Sequence, residues 1–92
     1  MEEKFLAAWE NTRKQAAALG VRQRPLSGDA MKDAHRQLSG NRESDGFWAL
    51  ADKGRLDLSL EALAVKKQFT ALFTDEEANT ALTRLLNADY RF

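Results

Sequence analysis

His35 is the only histidine of the chain, and an imidazole can act as a general base near neutral pH. A catalytic histidine needs either a nucleophile that it activates or a carboxylate that orients it. The chain has no cysteine, and the nearest carboxylate in sequence, that of Asp33, points to another side of a helix that carries both residues. We therefore predict that His35 is a surface or boundary histidine without a catalytic role.

The consecutive acidic residues 75–77 form the second group with chemical potential, as ligands of a metal ion. Metal-binding loops place their ligands at alternating positions around a glycine bend, whereas this run opens an apolar helical pattern. Thr74 and Glu77 have the spacing of a capping box, in which each side chain accepts a hydrogen bond from the other residue's backbone N–H. The sequence predicts a helix start at this point, and neither a metal nor a cofactor.

Other catalytic motifs are also missing from the chain. Its five glycines are isolated, and none belongs to a phosphate-binding loop that is followed by lysine and serine or threonine. The absence of cysteine excludes disulfides, thiolate nucleophiles and cysteine–zinc sites. We therefore expect no enzymatic activity, and no motif identifies a known family.

Basic residues are concentrated between positions 12 and 42, although the whole chain has a net charge of zero. Against Asp29 and Asp33, this region carries seven basic residues: Arg13, Lys14, Arg22, Arg24, Lys32, Arg36 and Arg42. Such an imbalance is typical either of a solvated surface or of a site for an anionic partner, with nucleic acid as the obvious candidate.

The nucleic-acid hypothesis is limited to contacts with the backbone. The candidate recognition helices offer mainly apolar, aromatic and acidic side chains, whereas readout of base edges needs Arg, Lys, Asn, Gln or Ser. A sequence pI near 6.6 also argues against strong general affinity for polyanions. Nucleic-acid binding is therefore the alternative hypothesis.

Aromatic residues indicate a different kind of partner. Phe47 and Trp48 are adjacent, and two neighbours on a helix cannot both point to the same side, so Trp48 is a candidate anchor for a protein contact. A wide buried face on a short helix is the competing explanation. Tyr90 and Phe92 are expected either to fold back on the core or to contact a second copy.

These observations favour a small soluble helical protein-interaction module, which acts as an adaptor, regulator or inhibitor by binding. Its expected partner is another protein or a second copy of the chain, and no apolar run is long enough to cross a membrane. The lack of cysteine and of a targeting signal favours a bacterial type of cytoplasmic protein.

Apolar residues recur at helical spacing along the chain, which predicts an all-α fold in one domain of residues 1–92. We expect a compact bundle of about five short helices. The first four cover about 2–19, 28–38, 45–53 and 60–68, and the fifth begins after its cap at Thr74. The serines at 27, 44 and 59 are the predicted N-caps of the second, third and fourth helices.

The fourth predicted helix is apolar nearly all round, so we expect it to be the central one. The alternation over residues 56–60 also fits a strand, but no second strand candidate exists to pair with it. The residues predicted to form the core are Trp9, Met31, Leu38, Phe47, Leu60, Leu63, Phe69, Leu82, Leu85 and Leu86. Arg84 is expected to face away from this core, and Leu82→Ala to cost about 2–5 kcal/mol of stability.

Overall fold

The structure is a computed structural model, which describes residues 1–26 and 28–90. It shows an all-helical protein. Two short 3-10 helices, Leu56–Leu58 and Thr70–Leu72, flank the fourth α-helix. Within the described ranges the α-helices are α1 Glu2–Ala18, α2 Ala30–Ser39, α3 Phe47–Asp52, α4 Leu60–Ala64 and α5 Asp75–Asn87. These residues include no strand, which confirms the predicted all-α class. None of the described helices is long and apolar enough to cross a membrane.

Two of the predicted helix boundaries are confirmed by their capping geometry. Ser59 accepts a hydrogen bond from the backbone N–H of Ala62 and so begins α4. At the start of α5, Thr74 and Glu77 form the complete capping box. In both places the sequence signal is local, so it does not depend on how the helices pack.

The predicted start of the second helix is too early, because its cap is Asp29, which accepts from the backbone N–H of Lys32. Ser27, the predicted cap, lies outside the described residues. The predicted cap of the third helix is wrong: α3 begins at Phe47 after Gly46, and no side chain caps it. Ser44 is not available for capping because it binds a buried carboxylate.

The fourth helix is shorter than predicted, since it ends at Ala64 and the next residues turn away. Residues 66–68 are polar and exposed, and the turn brings the buried ring of Phe69 edge-on to that of Phe5, with 5.3 Å between ring centroids. All five residues of α4 are nevertheless buried. The prediction that this helix is the central one is confirmed.

Among the described residues, the buried apolar side chains form two clusters, and α4 contributes to both, as do α1 and α5. The larger cluster is built from Phe5, Trp9, Met31, Ala34, Leu38, Leu60, Leu63, Ala64, Phe69, Phe73 and Ala81. The smaller one is built from Ala16, Val21, Phe47, Leu50, Leu56, Leu58, Ala62 and Leu85. Because α1, α4 and α5 each contribute side chains to both clusters, these three helices together set the relative position of the clusters.

The predicted inner face of α5 is partly wrong. Leu82 is 37% exposed and Leu86 is 56% exposed, whereas Arg84, expected to face solvent, is only 6% exposed. The helix is rotated toward the side that carries Arg84 and Leu85, because the guanidinium of Arg84 pairs with a carboxylate inside the protein. The spacing of apolar residues alone cannot reveal that Arg84 is needed inside the protein as the partner of a buried carboxylate.

The corrected face of α5 gives a direct test. Leu85→Ala should lower the free energy of unfolding by about 2–5 kcal/mol, because Leu85 is fully buried. The matched variant Leu82→Ala, one turn away and 37% exposed, should cost less than the Leu85 variant, at about 1 kcal/mol. Urea denaturation followed by circular dichroism measures both, and a larger loss for Leu82→Ala would contradict the orientation of the helix.

Candidate functional site

A buried ion pair between Glu61 and Arg84 joins α4 to α5. Glu61 is fully buried, and its Oε2 atom lies 3.1 Å from Nη1 of Arg84. The same carboxylate accepts hydrogen bonds from the backbone N–H of Ser44, at 2.8 Å, and from the Ser44 hydroxyl. The guanidinium also donates to the carbonyls of Gln37, at 3.1 Å, and Gly40, at 2.8 Å. Both charges therefore have several partners.

This network fixes the loop 40–46, which connects α2 to α3. The last carbonyls of a helix lack intrahelical partners, and Arg84 supplies donors to two of them at the end of α2. Glu61 holds the loop near its other end through both groups of Ser44. The loop is thus anchored to the interior at two points rather than lying free on the surface.

Gly46 brings this loop against residues 21–26, the segment between α1 and α2. Its backbone has φ +84°, and a Cβ atom there would lie 3.0 Å from the carbonyl oxygen of Arg22 and 3.0 Å from Cγ1 of Val21. A side chain is therefore disfavoured both by the left-handed backbone and by the close approach. The two segments form one continuous surface.

Trp48 lies at the edge of this surface, and 53% of the residue is exposed. Phe47 is buried and meets the indole edge-on, with 5.2 Å between ring centroids, so the two aromatic neighbours point in different directions. The indole N–H donates to Glu43 at 3.3 Å. An open groove of about 480 Å³ runs along residues 42–49 and includes Trp48 in its wall.

A second open groove, of about 520 Å³, adjoins the first and shares Arg42, Glu43 and Asp45 with it. Arg24 and Arg36 also line this groove. We call it the arginine groove, because its three arginines come from three segments: residues 21–26, α2 and the loop 40–46. Together with Trp48 it makes a face that carries both cations and an exposed aromatic ring.

Two arginines of the groove, Arg24 and Arg36, form only long ion pairs among the residues that the structure describes. Arg24 lies 3.8 Å from the buried Asp33 and 3.7 Å from Asp45, and Arg36 lies 3.8 Å from the same oxygen of Asp33. These distances exceed those of charge-assisted hydrogen bonds, roughly 2.7–2.9 Å. Arg42 makes no ion pair or side-chain hydrogen bond within the described part of the chain.

The other four basic residues between positions 12 and 42 do not line the arginine groove. Arg13 is half-buried and donates to both carboxylate oxygens of Glu10, at 2.9 and 3.0 Å. Lys14, Arg22 and Lys32 are exposed. The structure therefore brings together three of the seven predicted nucleic-acid-binding residues.

Tyr90 packs against the smaller apolar cluster and is half-buried. Burial, followed by the nearby charge of Asp57, raises the pKa of the Tyr90 phenol above its ordinary value. Phe92, the other predicted contact residue near the last position, lies outside the described residues. Trp48 is thus the predicted protein-binding residue whose exposure the structure shows most clearly.

His35 has a carboxylate partner that is distant in sequence. Its Nδ1 atom lies 2.7 Å from Oε1 of Glu77, and its ring packs against that of Phe73. Glu77 is also the capping-box residue: Oε1 accepts the backbone N–H of Thr74 at 2.9 Å, while Oε2 accepts the hydroxyl of Ser39 at 3.2 Å. Because that hydroxyl bonds to the carboxylate and not to the imidazole, the arrangement is not that of a nucleophile activated by a base.

The same contacts set the ionisation of Glu77. Burial by itself raises the pKa of this carboxyl, but the Thr74 N–H, the His35 ring and the Ser39 hydroxyl favour its charged form. Their combined effect is larger, and the pKa of Glu77 lies below its ordinary value. The cluster thus ties the start of α5 to α2.

Within residues 1–26 and 28–90, no group of three or more histidine, cysteine, aspartate or glutamate side chains is placed to hold a metal ion. The acidic run 75–77 lies in the first turn of α5, where its charges suit the helix dipole.

The chain matches no protein-family model, and comparisons with curated proteins and with solved structures found no match. The geometry of the described residues is therefore the basis for the functional argument.

Sequence reasoning missed the anchors of the loop 40–46. One signal was available, because Glu61 is the only charged residue in a helix that is otherwise apolar, and an enclosed carboxylate requires a cation or several donors. The identity of that cation was not available, since Arg84 lies 23 positions away. The contact between His35 and Glu77 spans 42 positions and was missed for the same reason.

Arg84→Met should destabilise the protein by about 3–5 kcal/mol, because it leaves the charge of Glu61 buried without its partner. Urea denaturation at pH 7 measures the loss. The control is Arg55→Met, which removes an exposed ion pair with Asp57 and should leave the free energy of unfolding nearly unchanged. A loss for Arg84→Met no larger than the control's would contradict the network.

The lowered pKa of Glu77 makes its contribution to stability depend on pH. The carboxylate stabilises the fold fully above the pKa of an unfolded glutamate, about 4.3, and this stabilisation is lost as pH falls through the lower pKa of the folded state. The difference in stability between wild type and Glu77→Gln should therefore shrink as the pH is lowered from 7 to 2.5. The exposed neighbour Glu76→Gln serves as the control, and a difference that stays constant for Glu77→Gln would refute the linkage.

Proposed function

We propose that this protein is an interaction module, not an enzyme, and that it binds another protein with the face formed by Trp48 and the loop 40–46. The observation that carries the proposal is the exposure of Trp48, at 53%, in the wall of an open groove. Tryptophan and arginine are the residues most enriched among the anchors of protein interfaces, and both occur on this face.

The rigidity of the face supports the proposal. Ordering a flexible loop on binding costs free energy, and a loop that is already held avoids this cost. Glu61 and Arg84 hold the loop 40–46 from inside, and Phe47 fixes the position of the adjacent tryptophan by its own burial. A partner would meet a surface whose backbone is already in place.

We also propose a compartment for this activity, the reducing cytoplasm of a bacterial cell. The lack of cysteine in the chain is compatible with a reducing compartment, because no disulfide can form.

Nucleic-acid binding is the second candidate, because Arg24, Arg36 and Arg42 line one groove. Phosphates could bind there and a base could stack on the nearby indole of Trp48, as in proteins that bind single strands. Two carboxylates, those of Glu43 and Asp45, line the same groove and would repel a polyanion. We therefore rank this function second.

Trp48→Ala should abolish or strongly weaken capture of a partner from a lysate of the source organism, because interface anchors of this type carry about 2 kcal/mol or more. The tagged protein is used with and without nuclease, and captured proteins are identified by mass spectrometry. Circular dichroism must show unchanged helicity, as expected for the loss of a largely exposed ring.

The control is Leu86→Ala, which removes an exposed apolar side chain of α5 that does not line either groove. A partner that both variants retain equally would refute the proposed face. Recovery of nucleic acid that depends on Arg24 and Arg42 would favour the second candidate. Light scattering of the purified chain shows whether the partner is a second copy.

A further inference from the structure

We propose that the arginine groove binds a segment of the partner protein that carries aspartate or glutamate side chains, next to an apolar side chain that packs on Trp48. This inference rests on the proposed function, because it names the chemistry of the partner at the same face. It is carried by the position of the three arginines and by the donors that they keep free for a ligand.

The guanidinium groups have spare capacity for hydrogen bonds. Each arginine has five N–H donors, and the ion pairs of Arg24 and Arg36 are 3.7–3.8 Å long. Both of these arginines approach the same oxygen of Asp33, whose side chain is buried and so cannot follow them toward solvent. Arg42 has no carboxylate partner among the residues that the structure describes.

The groove has the size and composition to receive a side chain with some of its backbone. Its volume of about 520 Å³ lies within the range of ligand sites, roughly 300–1,000 Å³. Planar carboxylates match the paired donors of a guanidinium, which makes arginine the preferred residue for recognising them. Because the three arginines come from separate segments, one acidic segment could bridge all three.

The acidic residues of the groove favour a peptide over a polyanion. Glu43 and Asp45 lie in its wall, and Glu43 is held there by the indole of Trp48. A nucleic-acid strand carries a charge at every nucleotide and would place phosphates near both carboxylates. A peptide can place its one or two carboxylates against the arginines and neutral residues elsewhere.

The first experiment is a selection from a library of random twelve-residue peptides displayed on phage, with the full chain as bait. We expect the enriched peptides to share one or two aspartate or glutamate residues near an apolar residue. One enriched peptide is then synthesised with a fluorescent label, together with a copy in which its carboxylates are changed to amides. The amide copy should bind at least about tenfold more weakly, because hydrogen bonds to charged groups are the strong ones.

The variants Arg24→Gln, Arg36→Gln and Arg42→Gln test the groove itself. Each should weaken binding of the labelled peptide by about tenfold. All three side chains are exposed, but Arg24 and Arg36 also lie near the buried Asp33, so circular dichroism must show that each variant keeps its helicity. The matched control is Arg22→Gln, which removes the same charge from the segment that carries Arg24 but lies outside the groove. Its effect should stay below about twofold.

Three results would overturn the inference: no enriched peptide, enriched peptides without acidic residues, or groove variants that bind like wild type. Tighter binding of a labelled twenty-nucleotide oligothymidine than of any peptide would also overturn it, in favour of nucleic acid. A failed proposed function gives a different result, because Trp48→Ala then leaves capture of the cellular partner unchanged. If capture depends on Trp48 but not on the groove arginines, the interaction function stands and the acidic segment does not.

Discussion

A carboxylate and a guanidinium enclosed in the same small protein constrain everything around them. Each charge loses its hydration on burial, and the pair is tolerable only if every remaining lone pair and N–H finds a partner. Glu61 and Arg84 gain most of these partners from Ser44 and from the carbonyls that end α2. Three helices and the loop 40–46 are therefore fixed in relation to one another by polar contacts as well as by apolar packing.

The exposed face depends on this interior arrangement. The loop 40–46 carries Arg42 and leads through Gly46 into α3, where burial of Phe47 leaves Trp48 facing outward. A small domain has little apolar area with which to hold a long connection. Here the connection is held by hydrogen bonds from side chains of the central helix and of α5, so the exposed face is built on a loop that is tied to the interior.

Much of the fold could be predicted from local signals, and the part that could not involves contacts between distant positions. The N-cap at Ser59 and the capping box of Thr74 can each be recognised from a segment of four residues, because the bonded residues are three positions apart. The exposure of Leu82 cannot be recognised locally, because the orientation of α5 depends on the ion pair between Arg84 and the buried Glu61. Trp48 could be predicted as a contact residue because it is adjacent to Phe47 on a helix. The grouping of the three arginines could not be predicted, because it depends on how distant segments of the chain pack together.

Gly46 affects which substitutions this surface can accept. The loop 40–46 and the segment before α2 cross at a point where a methyl group would lie only 3.0 Å from the carbonyl oxygen of Arg22. A substitution at Gly46 would strain its left-handed backbone and press on the segment that carries Arg24, although it would leave the side chains of Arg24 and Trp48 themselves unchanged. The spacing between the cationic and the aromatic part of the face therefore depends on a position without a side chain, so the exposed residues on either part can be substituted while that spacing is kept.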